Sequence, residues 1–406
     1  MSPTPSFQPR SARTAQTMDR KRQLRIWWRE IDRALLTLVL LLMAVGTLAV
    51  AASSPASARR LSTDGVKLDD LHFFWLHLRF QALGLAVLLG TALLNREVMR
   101  RGAIVLAGAM LLALLLVPVL GSEVNGARRW LDLGISFQPS EFLKPTFAVT
   151  LAWVLSWKLR DPALPVLWVS TGLLMVIVVL LMLQPNFGEA ILFVGLWLVM
   201  VILAGLPLKL FWQLGGAGLL GLAAVLAVYE NGRNRLLSFI GGGSAYDQVD
   251  LANRTLTGGG WTGSGFWLGS NKMRLPEAHT DYIFSVIGEE FGLLVCAIIV
   301  ILYLGIILRV LVRLVEEDRM FSILAASGLT ALFGAQAFIN ILVNLQLFPS
   351  KGMTLPLVSY GGSSTIAQCF TIGLLLCVTR RNPFISREKF DLRGSIEKEA
   401  MKDFGG

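Results

Sequence analysis

Cysteine and charge are both scarce in this chain. Three cysteines stand among 406 residues, Cys296, Cys369 and Cys377, each inside an apolar run. They have neither metal-ligand spacing nor partners outside those runs, which argues against a disulfide framework and a zinc site. Only 16% of the residues are charged against 54% hydrophobic. So little charge cannot keep that much apolar surface in water as an ordinary soluble domain, so most of the chain must sit in lipid. Familiar ligand motifs are missing as well. Gly263-Ser264-Gly265 has no strand-to-helix context and no Gly-Lys-Ser/Thr after it, which excludes a nucleotide loop. No cluster of carboxylates has metal-ligand spacing. The basic residues, with a net charge of +10, lie at the ends of apolar runs rather than on one face among aromatics. They orient the chain in a membrane, and no nucleic acid is expected. No internal repeat of the kind that marks inverted-repeat transporters is visible.

What the chain has instead is apolar length. Ten segments approach the roughly 20 residues that cross a bilayer core of about 30 Å. They are 34–52, 74–94, 103–120, 141–157, 164–183, 189–206, 210–228, 282–311, 321–346 and 361–378. The expected fold class is an all-α integral membrane protein, a polytopic bundle of about ten transmembrane helices. It occupies residues 31–380, between a disordered basic tail at 1–30 and a C-terminal tail at 381–406. Residues 54–58 imitate a signal-peptide cleavage site, but 34–52 is long for an h-region and the tail before it long for an n-region. The first span therefore reads as an uncleaved anchor. An even number of spans puts both termini on one side, and the basic connections at 96–101, 158–160 and 309–319 make that side cytoplasmic. The loops 53–73, 121–140, 184–188, 229–281 and 347–360 then face outward, the large one lying between spans seven and eight. In that loop, residues 233–240 could lie along the membrane interface.

Four outward elements carry polar residues that membrane segments rarely hold. In NGARRW at 125–130, a turn-forming Asn-Gly precedes Arg128, Arg129 and Trp130, which could also be a simple interfacial anchor. In QPSEFLK at 138–144, Pro139 suits a first helical turn and Glu141 the positive end of the dipole. Lys144 shares a face with Glu141 and enters the membrane, as a functional group or half of a structural salt bridge. Gln184-Pro185-Asn186-Phe187-Gly188-Glu189 ends one span and starts another. The stretch 349–364, dense in Pro and Gly and containing Lys351, cannot be one helix and reads as a re-entrant cavity wall. A fifth stretch, 258–292, brings Arg274, Glu277, His279 and Asp281 to the mouth of an apolar run. Asp281 could be a helix cap or a carboxylate that sees both water and a membrane-bound substrate. His279 could only hydrogen-bond the loop. Glu289 and Glu290 read as structural, about 12–14 Å deeper on one continuous helix.

Taken together, NGARRW, QPSEFLK, LPEAHTDYIFSVIGEEFG at 275–292 and FPSKGMTLPLVSYGGSS at 348–364 resemble the SEDS family (shape, elongation, division, sporulation) in order and spacing. The resemblance covers about residues 30–385, and the form PEAHTD followed by IGEE is more like the division branch than the elongation branch. It implies a ten-span peptidoglycan glycosyltransferase of the bacterial inner membrane that polymerises lipid II at the division septum. Asp281 matches the family's essential carboxylate, and Arg129, Glu141 and Lys144 match polar cavity residues. Asn186 and Glu189 depart from the family's usual Gln-Pro-Asp-x-Gly-Thr, replacing its acid and its hydroxyl.

The chemistry so implied needs a base for a sugar hydroxyl and cations for a departing diphosphate. Asp281 would be the base, with Arg129, Lys144 and Lys351 on the diphosphate side and Asn186, His279 and Glu141 lining the substrate site. The resemblance fixes no cofactor, and whether a divalent cation, Mg or Mn, assists stays open. The implied partners are lipid II, a class B penicillin-binding protein and other division proteins of the membrane. A lipid II transporter is the rival reading.

Overall fold

The computed structural model describes residues 25–63, 65–124, 127–132, 136–159, 161, 164–205, 216, 248–349 and 352–381. The chain divides into two compact units, Ala34–Val378 and a smaller one of Met1–Arg33 with Thr379–Gly406. In the smaller unit, Arg380 Nε lies 3.2 Å from Glu30 Oε2, and the Arg381 amide donates to the Glu30 carbonyl.

The larger unit begins with helices α1 Arg33–Leu61, α2 His72–Leu93 and α3 Arg96–Leu120. Strands β1 Ser122–Val124, β2 Ala127–Asp132 and β3 Ser136–Phe137 follow. Then come α4 Pro139–Ser156, α5 Val166–Leu183, α6 Phe187–Leu203, α7 Gln248–Gly258, α8 Ile283–Phe291, α9 Leu293–Leu314, α10 Met320–Asn344 and α11 Gly362–Thr379. Among the described residues seven helices are long and apolar enough to cross a membrane: α1, α2, α3, α5, α9, α10 and α11. Two expected spans fall outside that group for physical reasons. The span expected at 141–157 is α4, which carries Glu141, Lys144 and two prolines, and the one at 189–206 is α6, a 17-residue apolar helix. Of the expected span 210–228 only residue 216 is described, and the interfacial stretch 233–240 lies outside the described residues.

What each helix carries decides where it lies. Helix α4 buries 15 of its 18 residues, including both charged ones, because only protein partners can satisfy Glu141 and Lys144. It packs on α3, α10, α5 and α6. Beyond Arg101 helix α3 is apolar all round, leaving Val105 and Val119 74% and 76% exposed, a surface that lipid would cover. Helices α2 and α11 approach through glycine. A Cβ at Gly84 would stand 2.8 Å from Cys369 Sγ, and one at Gly373 2.8 Å from the Leu88 carbonyl. The cleavage-like segment is an interior part of α1, with Ser53, Ser54 and Ala58 fully buried.

Two features depart from the expected plain bundle. Strands β1, β2 and β3 form a three-stranded antiparallel sheet in which Glu123 faces Arg128 and Leu131 faces Phe137. The Asn125-Gly126 turn expected there lies outside the described residues. In addition, the run 282–311 is not one helix. It breaks at Gly292, whose φ of +85° is in the left-handed region and where a Cβ would meet the Trp261 carbonyl at 2.3 Å. After that break Cys296 Sγ lies 3.9 Å from the Phe284 carbonyl, whereas residues so far apart on one straight helix would be separated by about 18 Å. The start of α8 therefore lies beside the first turn of α9, and Glu289 and Glu290, still eight and nine residues beyond Asp281 along α8, close a short helix instead of leading into a continuous span. Replacing Gly292 with Ala should lower stability by on the order of 1–3 kcal/mol. Melting in detergent measures it, with Gly102→Ala, where a Cβ meets nothing within 4 Å, staying at or above wild type.

Candidate active site

Three carboxamides organise the interior. Gln336, Asn340 and Asn344 recur every fourth residue on α10, so they share one face, and all are buried. Gln336 accepts from Lys144 Nζ (3.2 Å) and Gln368 Nε2 (3.0 Å), and donates to the Thr354 carbonyl (3.2 Å). Asn340 donates to the carbonyls of Met353 (2.6 Å) and Asp281 (2.8 Å). Asn344 donates to the Asp281 carbonyl (3.2 Å) and accepts from the amide and hydroxyl of Ser285, at 3.1 and 2.6 Å. One helix face thus holds α4, the segment 352–361 and the backbone entering α8.

Segment 352–361 is irregular where irregular backbone is costly, and its neighbours answer several of its polar groups. Tyr303 donates to the Pro356 carbonyl (2.6 Å), the Leu355 amide to Ser359 Oγ (2.8 Å), and the Tyr360 amide to the His279 carbonyl (2.9 Å). Ser359 also donates to the Thr280 carbonyl (2.5 Å). Tyr303 lies well along α9, and Gly46, where a Cβ would stand 2.6 Å from the Leu357 carbonyl, lies midway along α1. The segment runs between spans rather than over them, as irregular backbone in a membrane protein must.

Asp281 stands at the junction. Its carbonyl is held by Asn340 and Asn344, while its half-buried side chain, together with Tyr282, Ile339, Val343, Gly352 and Met353, lines a narrow cleft with room for about one water molecule. Gly352 has φ +64°, and a Cβ there would lie 3.5 Å from Asp281 Oδ2, so the loop crosses close to the carboxylate. Lys351, the next residue, lies outside the described residues.

A second group gathers around Lys144, which is 1% exposed. Its ammonium lies 2.8 Å from Glu141 Oε1 and 3.8 Å from Glu189 Oε1, and Gln138 donates to the latter at 2.8 Å. Arg129, on β2, donates from Nη2 to the Pro185 carbonyl (2.5 Å) and from Nε to the Gln184 carbonyl (3.4 Å). The sheet is thereby tied to the turn before α6, where Asn186 is the N-cap. Among the described residues Glu141 Oε2, Glu189 Oε2, Gln184 Oε1 and Asn186 Nδ2 are buried without a hydrogen-bond partner, as expected of atoms that meet water or a polar ligand. The Lys144 and Asp281 groups meet through α10. Gln336 and Asn340 are one turn apart, about 6 Å, and bind the adjacent carbonyls of Thr354 and Met353.

His279 sits beside this frame. It is 6% exposed, its Nδ1 is 2.7 Å from Ser57 Oγ, and its ring packs against Phe73 (4.4 Å) and Tyr360 (5.2 Å). Burial lowers its pKa to about 4 despite the opposing charge of Glu277, so the ring is neutral near pH 7. No group of three or more His, Cys, Asp or Glu that could hold a metal occurs among the described residues, and Glu141 and Glu189 converge on the Lys144 ammonium. The α10 carboxamides, the residues that tie these parts together, were not singled out from the sequence. Their spacing of four within an apolar run was the available signal.

The profile of a family described as "Cell cycle protein", FtsW/RodA/SpoVE, matches residues 32–383. The chain belongs to the FtsW/RodA/SpoVE family. Among FtsW relatives, a Caulobacter vibrioides protein named "Probable peptidoglycan glycosyltransferase FtsW" is 34% identical over 362 residues, covering 89% of this chain and 92% of that one. A Saccharophagus degradans protein of the same name is 34% identical, covering 89% and 95%. The fold matches a chain of a solved peptidoglycan synthase complex, described as coordinating polymerization and crosslinking, with TM-score 0.68 and 30% identity over 86% of this chain and 97% of that one. It also matches the rod shape determining protein RodA of Thermus thermophilus, with TM-score 0.64 and 29% identity over 88% and 99%. Every residue of the two polar groups falls within the FtsW/RodA/SpoVE match.

Two measurements test the site's construction. Asn340→Leu leaves the Met353 and Asp281 carbonyls short of a donor, and should cost on the order of 1–3 kcal/mol in detergent melting. His279 has its pKa depressed in the fold, so its stabilising share is complete above the ordinary 6.5 and is lost as pH falls toward about 4. Between those values the melting temperature of wild type should fall more than that of His279→Gln.

Proposed function

We propose that this chain is a peptidoglycan glycosyltransferase of the FtsW kind, which polymerises lipid II into β-1,4 glycan strands during septal wall synthesis. The relatives' name supports the activity. The observation that carries the site is the Asp281 side chain in a cleft under segment 352–361, with its backbone clamped by Asn340 and Asn344.

In this reading the Asp281 carboxylate takes the proton of the acceptor's GlcNAc 4-hydroxyl. The freed oxygen attacks the anomeric carbon of the donor, whose bond to the lipid diphosphate breaks with the electron pair leaving on the diphosphate. A single displacement of an α-linked diphosphate gives the β bond by inversion, without a sugar-enzyme intermediate. Arg129, aimed by the Gln184 and Pro185 carbonyls, and Lys351 meet the departing charge. Lys144 adds its charge to the same wall from inside and, through Gln336, sets the loop over the acid. Glu141 and Asn186, each with a buried atom lacking a partner, offer hydrogen bonds to the sugars. His279, neutral and packed on Phe73 and Tyr360, shapes the wall from the α8 side.

The rest of the reading concerns place and partners. Ten spans in the bacterial inner membrane, with both tails cytoplasmic, put Asp281 on the periplasmic side at the septum. A class B penicillin-binding protein, supplying the cross-linking that the related synthase complex combines with polymerization, is the expected partner, with other division proteins beside it. Purified protein with lipid II in detergent, with and without that partner, tests the activity. Wild type should yield glycan polymer, and Asp281→Asn should lose it by at least about a hundredfold, roughly 2.7 kcal/mol of barrier. Normal polymer from Asp281→Asn, with lipid II transport lost in vesicles, would sink the transferase reading in favour of a transporter.

A further inference from the structure

The glycine-rich loop between α7 and the acid plays no part in the mechanism, yet it is tightly built. Four of its amides, those of Trp267, Gly269, Asn271 and Lys272, donate to the buried carboxylates of Glu289 and Glu290. The amides of Ser264 and Gly265 reach the main-chain carbonyls of the same glutamates, at 2.8 and 3.1 Å. Lys272, 3% exposed, pairs with Glu290 and donates to the Ala52 carbonyl (3.0 Å), while Trp267 Nε1 donates to the Ala51 carbonyl (3.0 Å).

This rigid loop nevertheless presents Trp261 and Leu268 72% and 73% exposed, with Phe266 beside them at 42%. Two contacts set its level. The Leu294 amide donates to the Trp261 carbonyl, so the loop covers the start of α9, a helix long enough to span the bilayer by itself. Its contacts on α1 fall at Ala51 and Ala52, where that helix's apolar run gives way to serine. Both place the exposed side chains at the outer edge of the hydrocarbon. The same loop is fixed to the C-terminal end of α8, whose N-terminal end carries Asp281, about 13 Å away along the helix. An anchor for bulk lipid needs no such fixed distance from the acid.

We propose that Trp261, Phe266 and Leu268 form a seat for the first part of the polyprenyl chain of the lipid-linked substrate, holding it a set distance from Asp281. The inference rests on the transferase reading above and names a binding surface for that reading's substrate. The test compares full-length polyprenyl lipid II with the same headgroup on a short prenyl chain, using purified full-length protein. Wild type should favour the long chain in kcat/KM. The variant Trp261→Ala with Leu268→Ala should reduce that preference by about tenfold, through KM on the long chain, with kcat on the short chain kept and the melting temperature unchanged. An undiminished preference in the double variant would overturn the seat and leave an interfacial anchor. Equal losses on both substrates would also overturn it. A wild type that makes no polymer from either substrate would instead remove the transferase reading, and the seat with it.

Discussion

The carboxamide ladder on α10 is the constraint on which the rest of this structure depends. A buried amide or carbonyl without a partner costs about 1–3 kcal/mol, and in lipid no water relieves it. Segment 352–361 and the residues entering α8 expose main-chain carbonyls in the interior, and Gln336, Asn340 and Asn344 answer them. Were the ladder apolar, the segment would have to leave the interior or become helical, and the cleft beside Asp281 would go with it. Clamping the main chain of Asp281 while its side chain lines a cleft is an arrangement that suits a catalytic carboxylate: fixed position, with chemistry at the edge.

Buried charge is handled in two ways. Around Lys144, an ammonium is set between two carboxylates, and Gln138 and Gln336 complete the group. At the end of α8, Glu289 and Glu290 are compensated mainly by main-chain amides of the loop that wraps them, with the Lys272 ammonium paired to Glu290. The first solution joins helices; the second orders a loop. Replacing an isolated member of either set would leave a charge in the interior with its compensation missing, which is far more costly than losing a surface pair.

Much of this protein was legible as a sequence. The scarcity of charge and the length of the apolar runs place it in a membrane, and the Pro/Gly density of 349–364 predicts the irregular backbone seen at 352–361. The pairing of Glu141 with Lys144 follows from three-residue spacing alone. Other features were hidden. The small sheet that carries Arg129 has strands too short for a periodic signal. The break at Gly292 is invisible in a run that stays apolar across it, so it could not be read from the sequence that Glu289 and Glu290 close a short helix instead of lying within a long span. The amides of α10 were concealed by the hydrophobicity of their helix.

The sequence by itself determined the lipid environment, the family and the residues whose polarity needs an explanation, because composition, periodicity and long motifs are properties of the chain alone. Only the tertiary structure decided which groups answer one another: Gln336 with Lys144 and Thr354, Asn340 with Met353 and Asp281, the glycine loop with Glu289 and Glu290. Helical spacing states which face a residue occupies, never what stands opposite, and an irregular segment has no period from which its partners could be read.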